Sequence, residues 1–423
     1  MSLSILIINY HSSLNNGDRA LLEMNISQLK AAFSNPNITV ASTWPNEHYF
    51  NKLTDVLTIP SAWRLIDEKG ENKIIPQLFN YFRAEIYARK FVKGRTKGIP
   101  ASWVSLFKAY DQADLIASVS STHFYSTGRY GWPFPVKIFM ANLAHIFGKP
   151  LYVLPQSIGP LRWNWEVKML QTTFQKGRLI FLRDYASMQL AQKLGLLNVL
   201  FAPDPAFAYP PTNQQIAYQT MKKYGYNSSD FSLGLTLIPR QSRAISSSFI
   251  NTYYTQISRA LQFIHKELNV KVYLFNQVTG PTHYDDDRGA IKSLLNFFDH
   301  QYSWLTHVDE ILPPALLKAC YGLMSIFLAT RLHSGIFSLS MGVPVVFIGY
   351  GTKTRGMMQG LGLEEWVIDL NNISTDEIVS KIFKAWEERV FYKEKLSSII
   401  PNVQKQVFET ANIIKTDYEN IRP

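Results

Sequence analysis

Leu323-Met324-Ser325-Ile326-Phe327-Leu328-Ala329-Thr330-Arg331-Leu332-His333-Ser334 passes from an apolar run into a short polar step and then toward a second apolar segment. The run Leu323–Phe327 lacks polar alternation, so it reads as a strand buried on both faces, the kind found in parallel sheets. Thr330–Ser334 opens a short helix that stops near Gly342, and Pro344 begins the next segment. The same grammar extends both ways. Leu233–Ile238, Val270–Phe275 and Val343–Ile348 read as further strands, and Ile257, Leu261, Ile264 and Leu268 form the apolar stripe of an intervening helix. Toward the amino terminus the strand candidates are Leu3–Ile8, Ile38–Ala41, Leu115–Ala117, Leu151–Leu154 and Leu179–Leu182, with Leu22, Ile26, Leu29 and Phe33 as a helical stripe between the first two. Strand–helix alternation of this kind predicts an α/β fold of two Rossmann-like, doubly wound domains with parallel sheets.

The link between them falls where Pro203, Pro205, Pro210 and Pro211 precede the polar run Thr212-Asn213-Gln214-Gln215. A hinge there predicts one domain over residues 1–210 and another over 230–423, the second closing with charged helices from about Asp376. Facing each other across a cleft, such domains would bind ligands between the carboxyl ends of their sheets.

Composition narrows the class. The 423 residues carry 43 Lys and Arg against 32 Asp and Glu, a net charge of +11 that predicts an anionic partner. Cys320 is the single cysteine, which rules out an intrachain disulfide and reads as a small core residue. No apolar run reaches the roughly 18–20 residues needed to cross a bilayer. The opening Met1-Ser2-Leu3-Ser4-Ile5-Leu6 has no basic region before its apolar residues, so it reads as a strand and not as a signal peptide. The expected location is cytoplasmic, with peripheral contact at the inner face of a membrane as an option.

Candidate chemistry sits in the loops that follow the strands. Asn15-Asn16-Gly17-Asp18 follows the first; Gly17 permits a tight turn, and Asp18 either caps the next helix or serves as a base or acceptor toward a sugar hydroxyl. Pro155-Gln156-Ser157-Ile158-Gly159-Pro160 is either an ordinary strand-to-helix turn or a polar cleft wall through Gln156 and Ser157. Arg331 has no core to join, and its planar fork suits a phosphate or carboxylate; His333 either caps its helix or acts as an acid loaded by a bound dianion. Tyr350-Gly351-Thr352-Lys353 follows the strand Val343–Ile348, and Arg240 ends the strand Leu233–Ile238 in the same manner. Each cation alone reads as a surface charge, yet Arg240, Arg331 and Lys353 on three loops of one domain predict an anion site. His283-Tyr284-Asp285-Asp286-Asp287-Arg288 invites a metal reading, but acids at a helix start account for it better, and no obligatory metal is expected. Between residues 75 and 97, Ile75, Phe79, Phe82 and Ile86 form an apolar stripe beside Arg83, Arg89, Lys90, Lys93, Arg95 and Lys97. This segment is either a helix packed on the first domain or a dock for anionic lipid; no nucleic-acid recognition module accompanies it.

Taken in order, these segments resemble the polysaccharide pyruvyltransferase family. The resemblance rests on Asn15–Leu22, Pro155–Pro160, Leu182-Arg183-Asp184-Tyr185-Ala186-Ser187, Pro203-Asp204-Pro205-Ala206-Phe207, Arg331-Leu332-His333 and Tyr350–Lys353. One departure is Ser118-Val119-Ser120-Ser121, where the family usually has a glycine-rich turn. The resemblance implies an arrangement similar to GT-B glycosyltransferases. It also implies transfer of the pyruvyl group of phosphoenolpyruvate to a sugar of an exopolysaccharide or cell-wall glycan precursor, lipid-linked or free, with a ketal formed, phosphate released and no cofactor or metal. It implies a phosphoenolpyruvate site at Arg331, Leu332 and His333, with Arg240 matching by position only. On that reading His333 is the general acid, Lys353 adds charge, Asp18 orients or deprotonates the acceptor, and Asn15, Gly17, Gln156 and Ser157 line the substrate. Two alternatives stand beside it: a nucleotide-sugar-dependent glycosyltransferase of the same shape, and a non-catalytic polyanion-binding relative.

Overall fold

The computed structural model describes residues 3–53, 55–67, 73–126, 131–132, 134–239, 249–282, 284–298, 302–349 and 352–421. They form two compact units. The first takes the chain up to Ser13, Leu21–Pro205 and everything from Gln406; the second takes Leu14–Ala20 and Ala206–Lys405.

The first unit holds eight parallel strands: β1 (Ser4–Tyr10), β2 (Asn37–Ser42), β3 (Val56–Pro60), β4 (Leu115–Ser118), β5 (Ser121–Phe124), β6 (Leu151–Ile158), β7 (Leu179–Leu182) and β8 (Val199–Phe201). Their order is β3-β2-β1-β4-β6-β7-β8, with β5 pairing β6 off that path. The second unit holds β9 (Ser232–Thr236), β10 (Lys271–Phe275), β11 (Leu305–Val308), β12 (Ile326–Ala329), β13 (Val345–Gly349) and β14 (Val367–Asp369) in the order β11-β10-β9-β12-β13-β14, all parallel. That is the doubly wound Rossmann order, and the order in which the chain adds strands reverses between β9 and β12, where such sheets open a crevice at their carboxyl ends.

The central strands lie where the apolar runs place them, but the edges do not announce themselves. β3 and β8 border the first sheet and β11 and β14 the second; each leaves positions partly open to water, β3, β11 and β14 carry polar residues, and β8, though apolar, is three residues long. β12 begins at Ile326 and not at Leu323, because the backbone amides of Leu323 and Met324 still bond back to Cys320 and Tyr321 at the end of the preceding helix. Among the described residues no helix is long and apolar enough to cross a membrane.

The domain limits differ from the expected 1–210 and 230–423 at two places. The 33-residue helix Arg389–Ile421 ends in the first unit, where Asp417 accepts from Tyr152 Oη at 2.8 Å and Arg178 Nη2 at 2.7 Å, and Gln28 Nε2 donates to the Val407 carbonyl at 2.9 Å. Residues 14–20 group with the second unit instead of the first, for reasons given below.

The segment on either side of Pro205 is pinned by buried charge. Arg183 and Asp204, with side chains 4% and 3% exposed, pair at 2.5 Å, and Arg183 also donates to Ser157 Oγ at 3.0 Å and Thr122 Oγ1 at 2.9 Å. The neighbouring Asp184 caps the helix Tyr185–Lys193 through Ser187 N. Thus the Arg-Asp and Asp-Pro pieces of the sequence pattern hold the first unit together. Past the link, buried Lys318 donates to the carbonyls of Phe207 at 3.2 Å and Tyr209 at 2.6 Å, and burial lowers its ammonium to about 7. The folded state therefore sheds this proton from about pH 7 while the unfolded chain keeps it to the usual lysine range. The unfolded state binds more protons in between, so this residue's contribution to stability rises with pH from about 7 upward. Lys318→Met is expected to lower stability, by orphaning those carbonyls, and to flatten that rise; denaturant unfolding at neutral and mildly alkaline pH reads both effects.

Candidate functional site

The step out of β12 is locked from below. Arg331 is the residue before the helix Leu332–Ser340, and its backbone amide donates to Thr236 Oγ1, at the end of β9, at 3.5 Å. Ser334 Oγ donates to the Arg331 carbonyl at 2.7 Å, so the Thr236 hydroxyl supplies the proton in its own 2.7 Å bond to Ser334. Tyr253 Oη meets Thr330 Oγ1 at 2.9 Å. Gly335 lets this helix settle on β13, since a Cβ there would strike the Phe347 ring. The switch point of the second sheet is thereby stitched to the backbone of Arg331.

The Arg331 side chain departs from expectation. Far from lacking a core partner, it is 17% exposed and paired with Asp287, whose side chain is fully buried. Arg331 Nε donates to Asp287 Oδ1 at 3.0 Å, Nη2 donates to the same oxygen, and Nη2 also reaches the Asp285 carbonyl at 3.2 Å. The other carboxylate oxygen, Oδ2, accepts from the amides of Gln277 at 3.0 Å and Val278 at 2.9 Å. Burial raises the Asp287 carboxyl to about 6, with Arg331 and those amides pulling it down. Asp287 lies in the first turn of the helix Asp287–Leu295, and Asp286 caps that helix through Arg288 N. The acidic run is a helix start, as expected, but Asp287 has a second task that sequence reasoning missed: it fixes a guanidinium 44 residues later.

Asn15–Asp18 joins this same unit. Asn15 pairs with Val278 in an antiparallel bridge, Asn16 N donates to the Gln277 carbonyl at 3.1 Å, and Thr279 N donates to the Leu14 carbonyl at 2.9 Å. Asn16 Nδ2 adds a bond to the Leu312 carbonyl at 3.2 Å. The cap of the helix Asn16–Ala32 is Asn15, not Asp18: Asn15 Oδ1 accepts from Gly17 N at 3.0 Å, and its amide donates to Asp18 Oδ2 at 3.0 Å. Gly17 is helical and makes no tight turn. What requires glycine is space, because a Cβ built there would fall on the His333 ring. The backbone of residues 277 and 278 thus touches Asn16 through carbonyl 277 and Asp287 through both amides, placing Asn15–Asp18, Asp287, Arg331 and His333 around one strand end.

The other expected residues distribute as follows. Leu332 opens the helix after Arg331, and Lys353 lies in the first turn of the helix Thr352–Gly360, which follows β13, the neighbour of β12. Arg240, His283, Tyr350 and Gly351 lie outside the described residues. Gln156 and Ser157 belong to the first unit and to strand β6, which continues through Ile158 instead of turning. Ser157 Oγ accepts from Arg183 and so supports the buried ion pair. Gln156 is fully buried with its amide on the Val119 carbonyl. Its Oε1, Ser120 Oγ and Asn25 Nδ2 are buried with no hydrogen-bond partner among the described residues. Asn25 Oδ1 accepts from Ser120 N at 2.9 Å, so all three gather on Ser118–Ser121, at the carboxyl end of β4 beside β1.

A family profile described as polysaccharide pyruvyl transferase matches residues 15–352. The amylovoran biosynthesis protein AmsJ of Erwinia amylovora is 23% identical over 403 residues, covering 90% of this chain and 91% of that protein. Among solved structures, S. aureus MnaA with UDP superposes with a TM-score of 0.63 at 11% identity, over 99% of this chain and 98% of the other. A glycosyltransferase of Rickettsia africae ESF-5 gives 0.60 at 12% identity over the whole of both chains. The fold is the two-domain α/β fold of the GT-B glycosyltransferases.

Proposed function

Because this chain belongs to the polysaccharide pyruvyl transferase family, we propose that it moves the pyruvyl group of phosphoenolpyruvate onto a sugar of an exopolysaccharide or cell-wall glycan precursor. The observation that carries this reading is the clamped Arg331 two residues before His333 at the switch point of the second sheet. A guanidinium held at Nε and Nη2 by a buried carboxylate is preorganised, so little ordering is left to pay when a carboxylate or phosphate arrives. Asp287 also cancels one positive charge. Lys353 and Arg240 then supply the balance that a doubly acidic donor needs.

In the first step a sugar hydroxyl oxygen bonds to C2 of the donor while His333 gives a proton to the methylene carbon, which becomes a methyl group. The bond between C2 and the bridging phosphate oxygen then breaks, phosphate leaves with the proton of the first hydroxyl, a second hydroxyl closes the ketal, and its proton restores His333. Asp18, oriented by Asn15, holds or deprotonates the attacking hydroxyl.

Purified protein incubated with phosphoenolpyruvate and candidate glycans should release phosphate and yield a pyruvyl ketal by mass spectrometry. Thermal stabilisation by phosphoenolpyruvate and not by UDP-sugars supports the reading; stabilisation by UDP-sugars alone replaces it with glycosyl transfer. Gly17→Ala is expected to act on His333 from a distance. The new methyl group displaces the ring, and a displacement of about 1 Å lowers turnover on the order of a hundredfold. Donor-induced stabilisation should stay near normal, which separates misplacement of the acid from loss of binding.

A further inference from the structure

We propose that the helix Ile74–Val92 seats the first unit on an anionic lipid bilayer. The helix packs onto its unit through Gln77, Ala84 and Ala88. The face opposite carries Ile75, Phe79, Phe82 and Ile86, exposed by 69, 67, 59 and 53%. Steps of four, three and four residues keep these side chains in one stripe. None of the four is spent on the core, and water is a poor neighbour for two phenyl rings and two isoleucines in a row.

Charge identifies the occupant. Arg89 borders the stripe on one side, Arg83 and Lys90 border it on the other, and exposed Lys93, Arg95 and Lys97 continue past its end. Glu85, the single acid between Lys73 and Lys97, is matched by Arg89 at 2.8 Å. Along the Arg89 side a groove of about 830 Å³ opens against the helices Phe134–Ile146 and Asn164–Gln175, adding Lys168 and Lys176 to Arg89 and Lys93. An apolar stripe flanked by cations is the pattern of a helix lying in the interface plane, its rings among acyl chains and its cations among headgroup phosphates. Long basic stems allow this geometry, since they cover apolar surface while their charges reach outward.

Co-sedimentation of the full chain with vesicles of equimolar phosphatidylglycerol and phosphatidylcholine tests the proposal against vesicles of phosphatidylcholine alone. Binding is expected to the anionic vesicles, weaker to the neutral ones, and reduced by salt. The double variant Phe79→Glu with Phe82→Glu changes exposed side chains only, so unfolding should be unaltered while vesicle affinity falls about tenfold or more. Lys93→Glu with Lys168→Glu and Lys176→Glu should remove the preference for the anionic lipid. Three results overturn the proposal: equal binding to both vesicles, undiminished binding of the phenylalanine variant, or no vesicle binding together with a dimer that the phenylalanine variant dissociates in light scattering.

Discussion

Replacing His333 with alanine is expected to reduce pyruvyl transfer by about a hundred- to ten-thousand-fold, the range for removing a general acid, while phosphoenolpyruvate still stabilises the protein. The separation follows from the geometry. Arg331 owes its position to Asp287 and to the Thr236–Ser334 hydrogen bonds, none of which involves the imidazole. The donor's carboxylate and phosphate therefore keep their partner when the ring is cut away. Methylene protonation does not, because water must then supply the proton unaided. Single-turnover measurements with saturating donor read the chemical step directly, and a variant that keeps ordinary turnover takes His333 out of the mechanism. His333→Gln distinguishes ring position from acidity, since it fills part of the space beside Gly17 without a titratable proton.

The sequence is most informative where one segment alone determines the outcome. Buried strands such as β7 and β10 are apolar on both faces and can be read locally. Edge strands β3, β8, β11 and β14 are short or half-polar and are defined by a neighbour more than by their own composition, so they do not stand out. The site divides in the same way. Arg331 and His333 are visible as polar residues after an apolar run, but Asp287 is one of three adjacent acids, and only the fold shows which is drawn inward beneath Gln277 and Val278. Gly17 is equally opaque: glycine after a strand reads as a turn, whereas its reason is an imidazole brought up from the far end of the chain. The assignment of Asn15–Asp18 to the second unit depends on backbone bonds to residues 277–279, which no spacing pattern encodes.

Asp287→Ala is expected to be the most damaging change of all, destabilising the second unit by about 3–5 kcal/mol and abolishing stabilisation by phosphoenolpyruvate. It removes the acceptor for two backbone amides and leaves Arg331 both unpaired and unaimed. Asp287→Asn, nominally conservative, should fail almost as badly. Oδ1 faces a guanidinium and Oδ2 faces two amide donors, so the NH2 group of asparagine must point a donor at donors whichever way it turns. Arg331→Met is the informative contrast. It leaves Asp287 on its amides and free to take up a proton, so the fold should suffer far less while donor binding is lost entirely. The pH response separates the same two properties. Asp287 holds its proton up to about pH 6 when folded, above the ordinary carboxylate range, so the unfolded chain releases that proton first. Its contribution to stability is therefore full in acid and declines as pH rises through about 6, the reverse of a surface-paired aspartate. Acidification below about 6 should accordingly slacken the hold on Arg331 and weaken donor binding. Donor-induced shifts measured along one pH series would test this; if donor binding keeps its strength below about pH 6, the buried pair does not aim the arginine.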